Sequence, residues 1–295
     1  MRWRDQGSAR PVAIAGIMRS GCTARGGGPF GMSDMPVVLQ AEIPPEMRAP
    51  RALPGVQPLG EAAWLRVDEA YAGQMAQRRA LIATRREAVF WQDPASGVAA
   101  QEVLDTALEL LPALGFAVSE DVCLCPDGVE VPLGRDSPLA VLGQLVQEDI
   151  CLMEKRAEAH VLVGACLCFP ASWQLSEKAG QPLVAIHAPV PEYDAGLAAR
   201  VQRLFDGVQV GRPLWRSNRL WYDDPALFQP RSATAPRRMD PGAACANYER
   251  AERQCILRLP RSRTVVFSIH TYVVAAGEPV SRRAAPGAAV DSSPG

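Results

Sequence analysis

Prolines and glycines set the strongest constraint on this chain. With 26 prolines and 24 glycines among 295 residues, few stretches run far without a residue that fixes φ, removes an amide donor or favours a turn. Regular elements must therefore be short, and many loops must join them. The apolar content, 48% against 21% charged, is enough to bury a core and excludes disorder of the whole chain. No uninterrupted apolar run approaches the roughly 18–20 residues that cross a bilayer. With 31 Lys+Arg against 32 Asp+Glu, the near-zero net charge gives no electrostatic footprint for nucleic acid. Almost all of the basic residues are arginines, Lys155 and Lys178 being the only lysines.

The pattern divides the chain into four parts. Residues 1–35 carry Arg2, Arg4 and Arg10, a broken apolar stretch and a glycine cluster. They are expected to be a disordered leader, or sequence upstream of a true start at Met32 or Met35. Residues 36–60 form a proline-rich extended arm, 61–274 the folded domain, and 275–295 a disordered Ala/Pro/Gly/Ser tail. Within the domain the apolar spacing predicts helices over 61–90 and Gln101–Leu111, then short strands at Phe116–Val122 and Val129–Leu133. Ser137-Pro138 opens a helix whose stripe runs from Leu142 to Met153, with Ser137 as its cap. A strand at His160–Phe169, a short helix at Trp173–Ala179 and a strand at Leu183–Ile186 follow, then an amphipathic helix from Asp194 to Gly207. Pro213–Tyr222 reads as an aromatic strand, 224–244 as a surface loop, Tyr248–Leu259 as helix and Arg263–Val274 as strand. Short strands mixed with helices, without βαβ alternation, argue for an α+β fold with a mostly antiparallel sheet flanked by helices.

Several chemistries are excluded by their motifs. Neither lysine follows a glycine, so there is no phosphate-binding G-x-x-x-x-G-K-[ST], and H-E-x-x-H and G-x-S-x-G are also missing. Gly26, Gly28 and Gly31 spell G-x-G-x-x-G, but in a leader with neither strand before nor helix after. Lys155 and Lys178 sit in polar helical contexts that keep an amine protonated. The eight cysteines include the C-x-C pairs Cys123/Cys125 and Cys166/Cys168, which lack the spacing of structural zinc sites and read as small buried hydrophobes. Without a clean secretory signal, a reduced, cytoplasmic setting is expected.

Histidine is scarce: only His160, His187 and His270 are present. His187 closes an apolar segment and enters Ala188-Pro189-Val190-Pro191, where two prolines stiffen the backbone. An imidazole on such an elbow suits an axial heme ligand, with its second nitrogen oriented by an acceptor. It also suits a plain half-buried, hydrogen-bonded histidine. His160 opens its strand and reads as structural, while His270 shares a strand face with Ser268 and Tyr272 that borders either solvent or a pocket. The arginine-rich run Glu252 to Arg263 has two readings as well: a solvated charged element, or a clamp for carboxylates such as heme propionates. Glu148-Asp149, inside the most apolar predicted helix, is either an exposed face or the anionic partner of a cation.

A set of short runs narrows these choices. They are Leu145-Val146-Gln147-Glu148-Asp149-Ile150-Cys151-Leu152-Met153, Cys168-Phe169-Pro170-Ala171-Ser172-Trp173, Glu177-Lys178-Ala179-Gly180, Ile186-His187-Ala188-Pro189-Val190-Pro191, Glu252-Arg253-Gln254, Leu259-Pro260-Arg261-Ser262 and Val266-Phe267-Ser268-Ile269-His270-Thr271-Tyr272. In order and rough spacing, over about residues 60–274, they resemble the heme-dependent oxidative N-demethylase family. That family was formerly a domain of unknown function and is related to the alpha subunits of dimethylamine monooxygenases.

The resemblance implies a PAS-like fold around a heme b. It implies removal of an N-methyl group from a small methylated amine as formaldehyde, with dioxygen and electrons from a separate flavin/iron–sulfur reductase. It makes His187 the expected iron ligand, with His160 and His270 as rivals. Arg258 and Arg261 are then candidates for propionate contacts, and Arg253 and Gln254 for the distal or substrate side. Trp215, Trp221 and Tyr222 could offer ring faces to an ammonium. Two departures stand out. Asn218 is followed by Arg219, with the tryptophan displaced to Trp221, and His270 stands where an arginine is expected before Thr271-Tyr272. Both departures point to the cavity lining, and His270 becomes a candidate catalytic residue. The rival functions are a non-catalytic heme sensor or carrier and a heme-free interaction subunit.

Overall fold

The computed structural model describes residues 35–49, 54–60, 63–187 and 195–276. The expected leader, most of the tail and the Ala188-Pro189-Val190-Pro191 elbow lie outside the described residues. The frame is a sheet of β1 (Gln57–Pro58), β2 (Phe90–Gln92), β6 (Asp149–Arg156), β7 (Ala159–Cys166), β8 (Leu214–Tyr222), β9 (Tyr248–Arg258) and β10 (Val265–Ala275). Their order is β1-β8-β9-β10-β6-β7-β2, and every pairing is antiparallel. A small second sheet joins β3 (Ala117–Val118), β4 (Val122–Leu124) and β5 (Glu130–Pro132). The helices are α1 (Tyr71–Thr84), α2 (Arg86–Val89), α3 (Gly97–Leu110), α4 (Pro138–Leu145), α5 (Leu183–His187) and α6 (Ala195–Gly207). The expected α+β class with a mostly antiparallel sheet is what forms.

Side chains alternate between the two faces of a strand, so the register sorts the residues of the sheet. Ser217, Arg253 and His270 are cross-strand neighbours and share one face. Arg216, Gln254 and Ile269 share the other. The first face carries Trp215, Cys255, Val266 and Tyr272 into the larger apolar core with α1, α3 and α4. The second carries Cys151, Met153, Ile256 and Val265 into a separate cluster with Leu183 of α5 and Phe205 of α6. The proline-rich arm is part of this architecture. Gln40 exchanges two bonds with the Val273 backbone, its amide donating to the carbonyl and its Oε1 accepting from the N–H, each at 2.9 Å.

Besides the helix expected over 61–90, which forms only as α1 from Tyr71 and the short α2, with Phe90 already in β2, three elements differ from the expected ones. The helix predicted to continue from Ser137 through Met153 ends at Leu145, and β6 begins at Asp149. The reason is Arg78 of α1, fully buried, which donates to the Gly143 carbonyl at 3.1 Å and the Gln147 carbonyl at 3.3 Å. Its Nη1 also meets Asp149 Oδ1 at 2.5 Å. Helix-end carbonyls need outside donors, and Arg78 supplies them at a turn. Asp149 in turn accepts the amides of Cys168 at 2.7 Å and Phe169 at 3.0 Å. Ser137 does not cap α4 with its side chain; its hydroxyl accepts from Arg86 at 3.0 Å. Gly143 lets α4 approach β7, since a Cβ there would lie 2.2 Å from Cys166 Sγ.

The segment Leu183–Ile186, expected as strand, is the helix α5, because Pro182 starts it: the Pro182 carbonyl accepts the amides of Ala185 and Ile186 at 2.9 and 3.0 Å. Tyr248–Arg258, expected as helix, is the long strand β9, paired on both sides. Its charged residues misled the helical reading. Removing the Asp149 carboxylate would strand a buried guanidinium and two amides at once. Asp149→Ala is therefore expected to lose about 3–5 kcal/mol of stability by urea unfolding, and a loss below about 1 kcal/mol would contradict this account.

Candidate functional site

α5 and α6 pack on the second sheet face, against β7. The chain reaches it through a 3-10 turn at Leu175–Glu177 and Gly180, whose φ of +70° suits glycine. Backbone bonds then staple it to β7, from the Gly180 amide to the Leu162 carbonyl at 3.1 Å and from the Leu162 amide to the Gln181 carbonyl at 3.0 Å. This anchors α5 and, at its last residue, His187. The ring Nδ1 lies 2.9 Å from the Leu183 carbonyl. A carbonyl only accepts, so Nδ1 carries the proton and Nε2 is the basic nitrogen. Burial lowers the His187 pKa against the pull of that bond, and the positive charges of Lys178 and Arg216 lower it further. The ring is thus a neutral imidazole, the form that binds a metal.

The cluster that α5 and α6 form with this sheet face is apolar. Met153, Leu167, Ile256 and Val265 are buried, while Trp91, Trp173, Ile186, Leu204, Leu214 and Phe267 remain half-buried against them. A polar ladder continues along the same sheet face. Arg216 donates to Gln254 Oε1 at 3.2 Å, and Gln254 Nε2 donates to Glu252 at 2.9 Å. Glu252 also lies 3.9 Å from Arg250 Nε. Several buried polar atoms here have no hydrogen-bond partner: Arg216 Nε, Arg250 Nε and the Tyr222 hydroxyl.

The expected site residues separate by face. Gln254 lies on the sheet face that carries α5 and α6, where it accepts from Arg216. Arg253 points the other way, donating to the Trp64 and Ala63 carbonyls at 2.9 and 2.5 Å. His270 is fully buried on that same side, its Nδ1 3.0 Å from Glu148 and its Nε2 3.1 Å from Asp68. Burial by itself would lower the His270 pKa, but the Glu148 and Asp68 charges and hydrogen bonds outweigh it and raise it to about 9. An imidazolium donating from both nitrogens has no lone pair for iron. Asp68 is held at about 2, the His270, Gln147 and Gln40 contacts overcoming its burial.

His160 packs beneath α6, 5.5 Å from the Phe205 ring, its Nδ1 2.9 Å from Gln202 Nε2. Burial outweighs the Asp206 charge and lowers its pKa to about 4. Arg258 spends its guanidinium on the Val208, Arg263 and Phe205 carbonyls, each within 2.8 Å, and so caps the end of α6. Arg261 is exposed and pairs with Asp105 of α3 at 2.9 Å.

The aromatic rings meet the chain's own cations. Arg253 lies over Trp215 at 5.8 Å and Arg238 over Tyr222 at 3.5 Å. Of the two departures from the family pattern, Asn218 lies on the same sheet face as Glu252 and Gln254, while His270 lies on the other. Lys178, expected in a polar context, is only 5% exposed. Arg216, Glu252 and Lys178 were not singled out for this site by the sequence. Reading β9 as a strand would have separated Glu252 and Gln254 from Arg253 by parity alone.

Residues 55–289 match the model of a protein family described as "haem-dependent oxidative N-demethylase, alpha subunit-like". Among the described residues, no helix is long and apolar enough to cross a membrane.

The His270 cluster generates a pH signature. A histidine raised from 6.5 to about 9 in the folded chain contributes stability that is complete below pH 6.5 and lost as pH rises through 9. His270→Gln removes that contribution. The stability gap between wild type and variant, measured by urea unfolding, is expected to narrow by roughly 3 kcal/mol between about pH 6 and pH 10. A gap independent of pH would contradict the ion-paired state of His270.

Proposed function

The chain belongs to the heme-dependent oxidative N-demethylase, alpha subunit-like, family, and from that premise we propose that α5, α6 and the sheet face beneath them form a cleft that seats a heme b, at which a small methylated amine is oxidatively demethylated, with release of formaldehyde. The observation that carries this reading is His187, a neutral imidazole with Nδ1 committed to the Leu183 carbonyl, beside apolar side chains that the chain itself leaves half covered. A metal-binding histidine is ordinarily oriented in this way, by an acceptor on its other ring nitrogen. On the same face the buried Arg216 Nε has no acceptor and is a donor that a polar ligand could use.

When bound, the heme would supply activation of dioxygen and one-electron chemistry. The protein's own work is distinct. His187 would hold the iron from one side. Trp91, Trp173 and Phe267, half-buried on this face, would exclude water from the bound heme. Glu252, with Gln254 donating to it, offers a negative charge to a protonated amine, and Arg216 holds Gln254 in place. Electrons would come from a separate flavin/iron–sulfur reductase, consistent with the alpha-subunit description. The same reading takes the sheet with its flanking helices as PAS-like and the setting as cytoplasmic.

The test is direct. Protein loaded with hemin is expected to show a Soret band and, with reductant, dioxygen and dimethylamine, to release formaldehyde. Glu252→Gln is expected to raise KM for the amine by roughly tenfold or more, the scale of one charge-assisted hydrogen bond. A Soret band without formaldehyde from any methylated amine would point to a sensor or carrier. Protein that stays colourless with excess hemin would overturn the reading.

A further inference from the structure

On the second sheet face an amide bridges a cation and an anion. Arg216 Nη1 donates to Gln254 Oε1 at 3.2 Å, and Gln254 Nε2 donates to Glu252 Oε2 at 2.9 Å. The partners fix the amide's orientation, since a guanidinium only donates and a carboxylate only accepts. Each end of the bridge keeps a free valence. The buried Arg216 Nε has no acceptor, and Glu252 Oε1 lies 3.9 Å from Arg250 Nε, beyond hydrogen-bond reach. The Arg250 Nη groups are spent on the Leu227 and Phe169 carbonyls at 3.1 and 2.6 Å. The register lays these groups out in rows. Arg216, Gln254 and Ile269 are cross-strand neighbours, and the next row holds Asn218, Glu252 and Thr271. Thr271 is fully buried and its hydroxyl has no partner. Although β9 is an interior strand, Arg216, Asn218 and Gln254 are only half-buried, so no described element fully covers this floor.

We propose that the methylated amine met by this face carries its own carboxylate: it is an N-methylated α-amino acid, with its ammonium on Glu252 and its carboxylate on Arg216. The inference rests on the demethylase reading above and names its substrate class. The Gln254 amide shows that a donor and an acceptor a short, fixed distance apart can link these two side chains. The ammonium and carboxylate of an α-amino acid are such a pair. The ammonium would meet the free acceptor of Glu252 and the carboxylate the free donor of Arg216, both by charge-assisted hydrogen bonds. Charge balance points the same way. Arg216 and Arg250 lie one row to either side of Glu252, so a bare methylammonium would bring a third cation to one carboxylate. A zwitterion adds no net charge, and unbalanced charge on a part-buried face is costly.

N,N-dimethylglycine and dimethylamine share the methylated nitrogen and differ in the carboxylate, while the methyl ester of dimethylglycine keeps the size and removes the charge. Titrated calorimetrically into the full hemin-loaded chain, dimethylglycine is expected to bind roughly tenfold to a hundredfold more tightly than either. In Arg216→Met that preference should shrink to about threefold or less, whereas Glu252→Gln should weaken dimethylglycine and dimethylamine alike, by about tenfold. Equal wild-type affinities for dimethylglycine and its ester would overturn the proposal, as would a full preference in folded Arg216→Met. Should Arg216→Met fail to fold by circular dichroism, the wild-type comparison still decides. Formaldehyde release with a higher kcat/KM for dimethylamine than for dimethylglycine would also overturn it and leave the demethylase reading standing. Protein that stays colourless with hemin overturns the heme reading instead, and the same three titrations on the apoprotein then decide by the same criteria whether this face binds the amino acid.

Discussion

The two-residue period of β9 organises this protein. Between β8 and β10, paired along its length on both sides, it sends Arg250, Glu252 and Gln254 to one face and Ala251, Arg253 and Cys255 to the other. A slip of one residue would exchange these sets. The charged residues of one short run therefore do unrelated work. Arg253 holds the backbone at Ala63 and Trp64, while Gln254, its neighbour, bridges Arg216 and Glu252 beside the cleft.

Each face resolves its buried charge differently. On the α1 side Arg78 pairs with Asp149, and His270 with Glu148 and Asp68, while Arg253 meets backbone carbonyls. These pairs tie α1, the turn after α4 and the segment before α1 to the sheet, and removing any member leaves its partner uncompensated. On the α5–α6 side Arg216 is half-buried, bonded to Gln254 and within the field of Glu252, and the neighbouring apolar side chains are only half covered. Closed charge suits a structural role; an oriented neutral imidazole on a half-covered apolar face suits a ligand.

Much of this was legible in the sequence. The helical spacing around Tyr71, Met75, Leu81 and Ile82, the apolar runs of β7 and β10, and the amphipathic α6 all appear where local pattern and tertiary packing agree. The misreadings have one physical source, which is partners distant in sequence. Nothing local to Leu145 reveals that Arg78, far earlier in the chain, ends that helix. The charges of β9 resemble a solvated helix until strands on both sides bury them. Pro182 was a local signal for α5, overlooked beside the apolar Leu183–Ile186 run. Of the candidate site, His187 and Gln254 came from the sequence and the resemblance. The burial of Lys178 and the link of Arg216 to Gln254 are properties of tertiary geometry, which no spacing encodes.

The central claim is that the cleft face, not the face of His270, holds the cofactor. Optical spectra of His187→Ala and His270→Gln after hemin loading, beside wild type, test it most directly. The account predicts that His187→Ala loses the wild-type Soret and visible bands and binds hemin weakly, while His270→Gln keeps both. Unchanged bands in His187→Ala, or their loss only in a folded His270→Gln, would contradict it.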